Sequence, residues 1–314
     1  TIRANSANHA GAGIYNGGTL TLTNVTITGN STTGGGGGIA NSGKATLDHV
    51  TISGNRAGGG GGVGNGGQIG IAGSGTMTLT NVTIRDNVVS TAGVGGIDNA
   101  DGGTMTLMNV TINNNSAEGS VGAIENISGN RRAPATMTLI NVTISRNKDV
   151  LGGTAIFNGN QAGRGVATMY LTNVTINDNF PFRGIWNGST DANSVILKNV
   201  LLANNGEANC SPYKKGNISS LGHNLSSDAS CADIFKGPGD LNNTDPKLDP
   251  EGLKDNGGFT QTIALLPGSP AIDAVAVKAC TDQSETPQPI PTDQRGVSRP
   301  QGKACDIGAF ELTQ

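Results

Sequence analysis

Apolar and polar residues alternate one for one in short stretches of this chain, as in Thr76-Met77-Thr78-Leu79-Thr80 and Thr136-Met137-Thr138-Leu139-Ile140. A period of two carried by β-branched and apolar residues predicts strands with one face buried. Each such stretch runs into a seven-residue frame typified by Asn141-Val142-Thr143-Ile144-Ser145-Arg146-Asn147. The frame recurs at 24–30, 49–55, 81–87, 109–115, 173–179 and 199–205, with Val second, Ile or Leu fourth and Asn last. A third piece precedes the alternating one: Ile14-Tyr15-Asn16, Ile39-Ala40-Asn41, Val63-Gly64-Asn65, Ile97-Asp98-Asn99, Ile124-Glu125-Asn126, Ile156-Phe157-Asn158 and Ile185-Trp186-Asn187. A helical reading fails, because glycine and β-branched residues dominate and no 3.6-residue period appears.

Self-similarity at spacings of 25 to 32 residues is the signature of a solenoid. Stacked coils place equivalent residues about 4.8 Å apart. The inward columns are then Met77, Met105, Met137 and Met169; Leu79, Leu107, Leu139 and Leu171; and Val82, Val110, Val142 and Val174 beside Ile84, Ile112, Ile144 and Ile176. The expected fold is all-β: a right-handed parallel β-helix, three-sided, of about seven coils, the hand following from the usual sense of parallel crossovers. The Asn columns read as a structural ladder, since stacked amides bond the amides above and below and Asn tolerates left-handed backbone. Asn-Val-Thr also reads as a glycosylation acceptor, but its presence in every coil favours the ladder.

Composition sharpens this picture. Glycine accounts for 50 residues without a Gly-X-Y period, which excludes collagen. The runs 34–38 and 58–62 fall at one place in the repeat and read as turns. Net charge is −3, which argues against nucleic acid or an anionic membrane surface as partner, and no apolar run is long enough to span a bilayer. After Asn205 the frame stops, and ten of the twelve prolines and all four cysteines follow. The chain therefore divides at this point into a β-helix, 1–205, and an irregular C-terminal capping domain, 206–314. Its apolar segments Ile263-Ala264-Leu265-Leu266 and Ile307-Gly308-Ala309-Phe310 are expected to cover the last open coil. Cys210, Cys231, Cys280 and Cys305 lack metal-ligand spacing and fit two disulfides of an exported protein. The local pairing, Cys210–Cys231 with Cys280–Cys305, is preferred among three connectivities.

The Thr-Leu-Thr-Leu-Thr-Asn-Val-Thr-Ile coils resemble bacterial right-handed parallel β-helix surface proteins. The tail is similar to the choice-of-anchor Q domain, on Ser269-Pro270-Ala271-Ile272-Asp273, Asp293-Gln294-Arg295-Gly296-Val297-Ser298-Arg299-Pro300 and Cys305-Asp306-Ile307-Gly308-Ala309-Phe310-Glu311. Leu221-Gly222-His223-Asn224-Leu225 and Asp255-Asn256-Gly257-Gly258 also resemble it. The resemblance implies export and display at the cell surface, and it supplies no catalytic residues.

Candidate chemistry sits in the variable position between Ile and Asn. Asp98 and Glu125 fall on adjacent coils, roughly 5 Å apart, the carboxylate separation of retaining glycosidases. The plainer alternative is two solvated carboxylates. Asp101 is a candidate third oxygen. Tyr15, Phe157 and Trp186 occupy the same row, where a sugar ring can stack. Flat rows of Thr76, Thr78 and Thr80, with Thr104, Thr106, Thr136 and Thr138 stacked above, suit an ice lattice, although Thr is also simply a good exposed strand residue.

His49 reads as a stand-in for a ladder Asn, His9 and His223 lack partners in register, and Arg131-Arg132 reads as a solvated loop. Asp240, Asp245, Asp249 and Asp255 have no metal-ligand spacing. No cofactor and no metal are expected. Thr1 enters in mid-coil, so Thr1, Ile2 and Asn5 form an open edge. That edge is covered either by a missing cap or by another copy stacked end to end. The functional expectation is an extracellular or cell-surface structural or adhesive rod, partnered by itself or by cell-surface polysaccharide. The alternative is a secreted polysaccharide lyase or glycoside hydrolase acting on a β-helix face.

Overall fold

The computed structural model describes residues 1–66, 74–91, 93–129, 133–160, 165–180, 183–188, 192–211 and 217–313. Its strands pair in parallel from one coil to the next, in sheets of fourteen, eight and six strands. The eight-stranded sheet runs from Ile14–Asn16 to Ala208–Ser211, which marks about seven turns of a parallel β-solenoid. Among the described residues the helical content is one 3₁₀ turn, Val277–Ala279, and no helix is long and apolar enough to cross a membrane.

Register is the decisive test of the repeat, and it holds. Val110 faces Val142 and Val142 faces Val174, while Met77, Met105, Met137 and Met169 follow one another rung by rung. These side chains are at most 1% exposed. Each fully buried Leu, Ile or Met contributes roughly 1.5–3 kcal/mol, so the stacks form the main core of the rod.

The alternating piece and the Asn-Val-Thr-Ile frame are not two separate sides. They lie in the same fourteen-stranded sheet, and in the middle coils they merge into continuous strands such as Thr104–Asn113 and Ala135–Ser145. The bend between them falls on the frame's first residue: Asn24, His49, Asn81, Asn109, Asn141, Asn173 and Asn199 all have φ between 52° and 56°. Asn is among the few residues that enter this left-handed region at low cost. The third sheet consists of two-residue strands directly after the frame, Ser6–Ala7 through Lys148–Asp149.

The asparagines form hydrogen-bonded ladders. The frame's last residue donates its amide to the equivalent oxygen one coil on, from Asn5 through Asn30, Asn55, Asn87, Asn115, Asn147 and Asn179 to Asn205, at 2.9–3.0 Å. The same oxygens also accept the backbone N–H of the preceding rung, as in Asn115 to Asn147 at 3.0 Å. A second ladder links Asn16, Asn41, Asn65, Asn99, Asn126, Asn158 and Asn187 at 2.6–2.8 Å. Buried amides are tolerated because every rung satisfies the next. His49 takes the bend position with its ring on Asp48, 2.8 Å away, and against Phe259.

Glycine matters most where the short-strand sheet turns into the eight-stranded one. A Cβ on Gly38 would lie 2.6 Å from Ile52 Cγ2, and one on Gly62 would lie 2.9 Å from Ile84 Cγ2. At the opposite end from Ala208–Ser211, Ile2–Arg3 pairs with Thr26–Thr28, and Asn5 starts the ladder.

The C-terminal region departs from expectation in two ways. Stacking runs on past Asn205 through Ala208–Ser211, Asn217–Ser220 and Leu225–Ser226. The last coil is then closed by Ile234 and Phe235, with Cys231, which pack against the main core. The segments 263–266 and 307–310 do not cover that end. They form a second apolar cluster on the side of the rod, where Leu265, Ile307 and Phe310 meet Leu201, Ala203 and Leu225.

From there the chain lies as a strap along the outer face of the Asn-Val-Thr-Ile pieces. Thr111, Thr143 and Thr175, outward threonines of three successive coils, are buried beneath it. Gln294 donates to Thr111 at 2.8 Å and accepts from Thr143 at 2.7 Å, and Ala309 N–H donates to Thr175 at 3.0 Å. Phe259 extends this contact to His49, whose ring centroid is 4.5 Å away. Within the strap, Arg299 pairs with Glu311 at 2.9 Å, both side chains 1% exposed, and Arg295 pairs with Asp293 at 2.8 Å. Cys210–Cys231 and Cys280–Cys305 are the disulfides, with Cα separations of 5.2 and 6.4 Å.

Candidate functional site

The residue between Ile and Asn in each coil points away from the core, because neighbouring side chains on a strand alternate faces. Cross-strand register lines these positions up as Tyr15, Ala40, Gly64, Asp98, Glu125, Phe157, Trp186 and Ser211. Asp98 and Glu125 are direct partners, so parallel-strand spacing sets their backbones about 4.8 Å apart. Both are half-buried. Burial, and then the charge of Glu125, pushes the Asp98 carboxyl well above its usual range, and burial pushes Glu125 up to about 7. Two stacked carboxyls short of water favour holding a proton between them.

On the next two rungs, Phe157 and Trp186 meet edge to face with ring centroids 5.1 Å apart. Phe157 leans over glycine backbone: a Cβ on Gly159 or Gly188 would come within 2.5 or 2.7 Å of its ring. The ring is therefore held in place by positions where a side chain would collide. Arg183 lies over Trp186 with its guanidinium carbon 5.8 Å from the ring centre. Tyr15 shares the row but sits five rungs from Phe157, with Ala40 and Gly64 between, and is 52% exposed. It does not join the aromatic pair.

A groove of about 400 Å³ opens beside Glu125, Phe157 and Trp186 and is completed by Asp149, Leu151 and the backbone of 119–121 and 152–153. Asp149 is 1% exposed. Its Oδ1 accepts the N–H groups of Gly119 at 2.7 Å and Leu151 at 3.0 Å, while Oδ2 has no hydrogen-bond partner among the described residues. Sequence reasoning passed over Asp149, although a signal was there. The second residue after the frame is Thr32, Ala57, Val89 and Ala117 in successive coils, and then Asp149. A lone acid in a buried and otherwise uncharged column calls for an explanation.

The other candidates serve the fold. Asp101 accepts the Gly129 N–H of the next coil at 2.6 Å. Asp240 accepts from Asn224 N–H and Gly237 N–H, Asp245 from Lys247 N–H, and Asp255 from Gly257 N–H, while Asp249 pairs with Lys254. The His223 ring contacts the carbonyl of Ala274 at 2.9 Å. Among the described residues no group of three or more His, Cys, Asp or Glu gathers as a metal site. The threonine rows are in register, and in the column of Thr80, continued by Met108 and Ile140, Gln283 of the strap donates to Thr172 at 2.9 Å. Arg131 and Arg132 lie outside the described residues.

Comparison with protein-family profiles, with curated proteins and with solved structures gave no match. The class of this protein therefore rests on its own fold: a parallel β-solenoid of about seven turns, stapled by two disulfides toward its C-terminal end.

Proposed function

We propose that this chain is an extracellular adhesive rod of the bacterial surface-protein kind, with a C-terminal region of choice-of-anchor Q type, and that it holds a polysaccharide chain along its eight-stranded sheet. The observation that carries this reading is the Phe157–Trp186 pair at the wall of a groove that also presents Glu125 and Asp149. Aromatic faces stack on sugar rings, and carboxylates accept hydroxyl hydrogen bonds, the usual division of labour in a sugar site. Two disulfides are compatible with an oxidising compartment. Affinity electrophoresis through gels cast with different polysaccharides tests the reading. The wild type is expected to be retarded in at least one gel and Trp186→Ala to run freely; equal mobility in every gel refutes it.

A second reading, hydrolysis of that polysaccharide, draws on one observation, the in-register Asp98–Glu125 pair with both carboxyls raised. One protonated and one ionised carboxyl about 5 Å apart match the acid and nucleophile of a retaining mechanism. New reducing ends should then appear from a retained polysaccharide and vanish with Glu125→Gln. Retention without cleavage leaves adhesion standing and removes hydrolysis.

A further inference from the structure

We propose that the groove selects a positively charged sugar, a hexosamine carrying a free ammonium group, with Glu125 and Asp149 on the ammonium and Trp186 against the ring. This rests on the carbohydrate-binding reading above and names the sugar class.

The groove is acidic. It is lined by two carboxylates and, among the described residues, by no lysine, arginine or histidine. Asp98 adds a third carboxyl one rung from Glu125. Lys148, beside Asp149 in sequence, is exposed and does not line the groove, and Arg183 is engaged over the Trp186 ring. A uronic acid would bring a further negative charge to this acidic wall and be repelled.

Asp149 narrows the choice. Its Oδ2 is buried, without a hydrogen-bond partner among the described residues, and set against Gly153, where a Cβ would come within 2.1 Å of it. A buried acceptor without a donor is costly, and a ligand that brings a charged donor removes that cost. A hydroxyl brings one hydrogen to a carboxylate; an ammonium brings three hydrogens and the compensating charge. A divalent cation asks for six or more oxygens, which this wall does not gather. An aromatic face beside the acids adds cation–π attraction for the same group.

Calorimetry with four tetrasaccharides tests the proposal: β-1,4-linked glucosamine, its fully N-acetylated counterpart, glucose and a uronic acid. The glucosamine tetramer is expected to bind about tenfold tighter than the N-acetylated and glucose tetramers, the factor expected for one charge-assisted hydrogen bond. Asp149→Asn and Glu125→Gln should each bring that preference toward unity by weakening the glucosamine tetramer more than the neutral ones, and Trp186→Ala should weaken all of them. Thermal melts of each variant establish that it folds.

Neutral or uronic tetramers binding as tightly as glucosamine would overturn the selectivity and leave sugar binding intact. Tetra-lysine binding tighter than tetra-glucosamine would assign the ammonium to a peptide and overturn it as well. No binding by any of the four tetramers would overturn this proposal, while retention in the polysaccharide gels would keep the reading on which it rests.

Discussion

The coils and the strap solve the same problem of burying polar groups in opposite ways. In the coils, Asn147 is satisfied by Asn115 on one side and Asn179 on the other, and every rung repeats the arrangement. In the strap, Gln294 is satisfied by Thr111, Thr143 and Thr260, residues drawn from three places in the chain and matched once. Repetition makes each amide its neighbour's partner, so the ladder extends with chain length at no new design cost. A single-copy network has to bring its own anchors, which here are two ion pairs shielded from water and a disulfide. The contrast also separates stability from recognition: Asp149 and the Asp98–Glu125 pair stand out because they break the coil rule.

Breaking a ladder rung should cost most. Asn147→Ala strips the acceptor from the Asn115 N–H and amide and removes one of two donors from the Asn179 oxygen, the N–H of residue 147 remaining. With several buried groups orphaned, a loss of about 4 kcal/mol is expected in urea denaturation, with the whole rod unfolding at lower denaturant. A change under about 1 kcal/mol would mean that the ladder decorates the core and does not hold it.

Breaking the strap should cost somewhat less and act locally. Glu311→Gln leaves Arg299 charged and buried, although the carbonyls of Asp306 and Gly308 still accept from it. About 3 kcal/mol is expected for such a half-removed pair. Limited proteolysis should then cut within 246–313 before any coil is touched, whereas Asn147→Ala should expose both regions together. Simultaneous cleavage in Glu311→Gln would show that strap and coils unfold as one unit.

The carboxyl pair should give the smallest effect, with a defined sign. The folded protein holds Glu125 up to about 7 and Asp98 raised, so between the ordinary carboxylate range and pH 7 it binds more protons than the unfolded chain. Stability from this pair is therefore full in acid and falls as pH rises toward 7, by on the order of 2 kcal/mol. Denaturation of Glu125→Gln at pH 5 and pH 8 should show that dependence flattened, the variant gaining on the wild type at pH 8. A wild type that loses nothing between these values would show that solvent screens the pair.

Much of the rod was legible before any coordinates. Val-over-Val and Met-over-Met register follows from the repeat alone, because a parallel solenoid turns a sequence period into a distance of one rung. The Asn at the end of each frame was readable for the same reason, and so was the row that brings Asp98 to Glu125 and Phe157 to Trp186. The short-strand sheet was missed, since two residues carry too little pattern to show a period. Asp149 went with it, because an acid is noticed only when its column is known to be buried.

The strap's course was not written in any local pattern. Thr111 meets Gln294 across 183 residues, and nothing at either position marks the other. Apolar segments such as 263–266 announce that they will be buried without saying against which face. The sequence by itself determined the coil, its register and its ladders, because those interactions are periodic and each residue's partner is its own next copy. Tertiary structure alone decided that the C-terminal segment lies along the rod's side, that Phe235 closes its end, and that an acid from one sheet joins the aromatics of another. Each of these is a single contact between unlike segments, settled by how whole surfaces fit together.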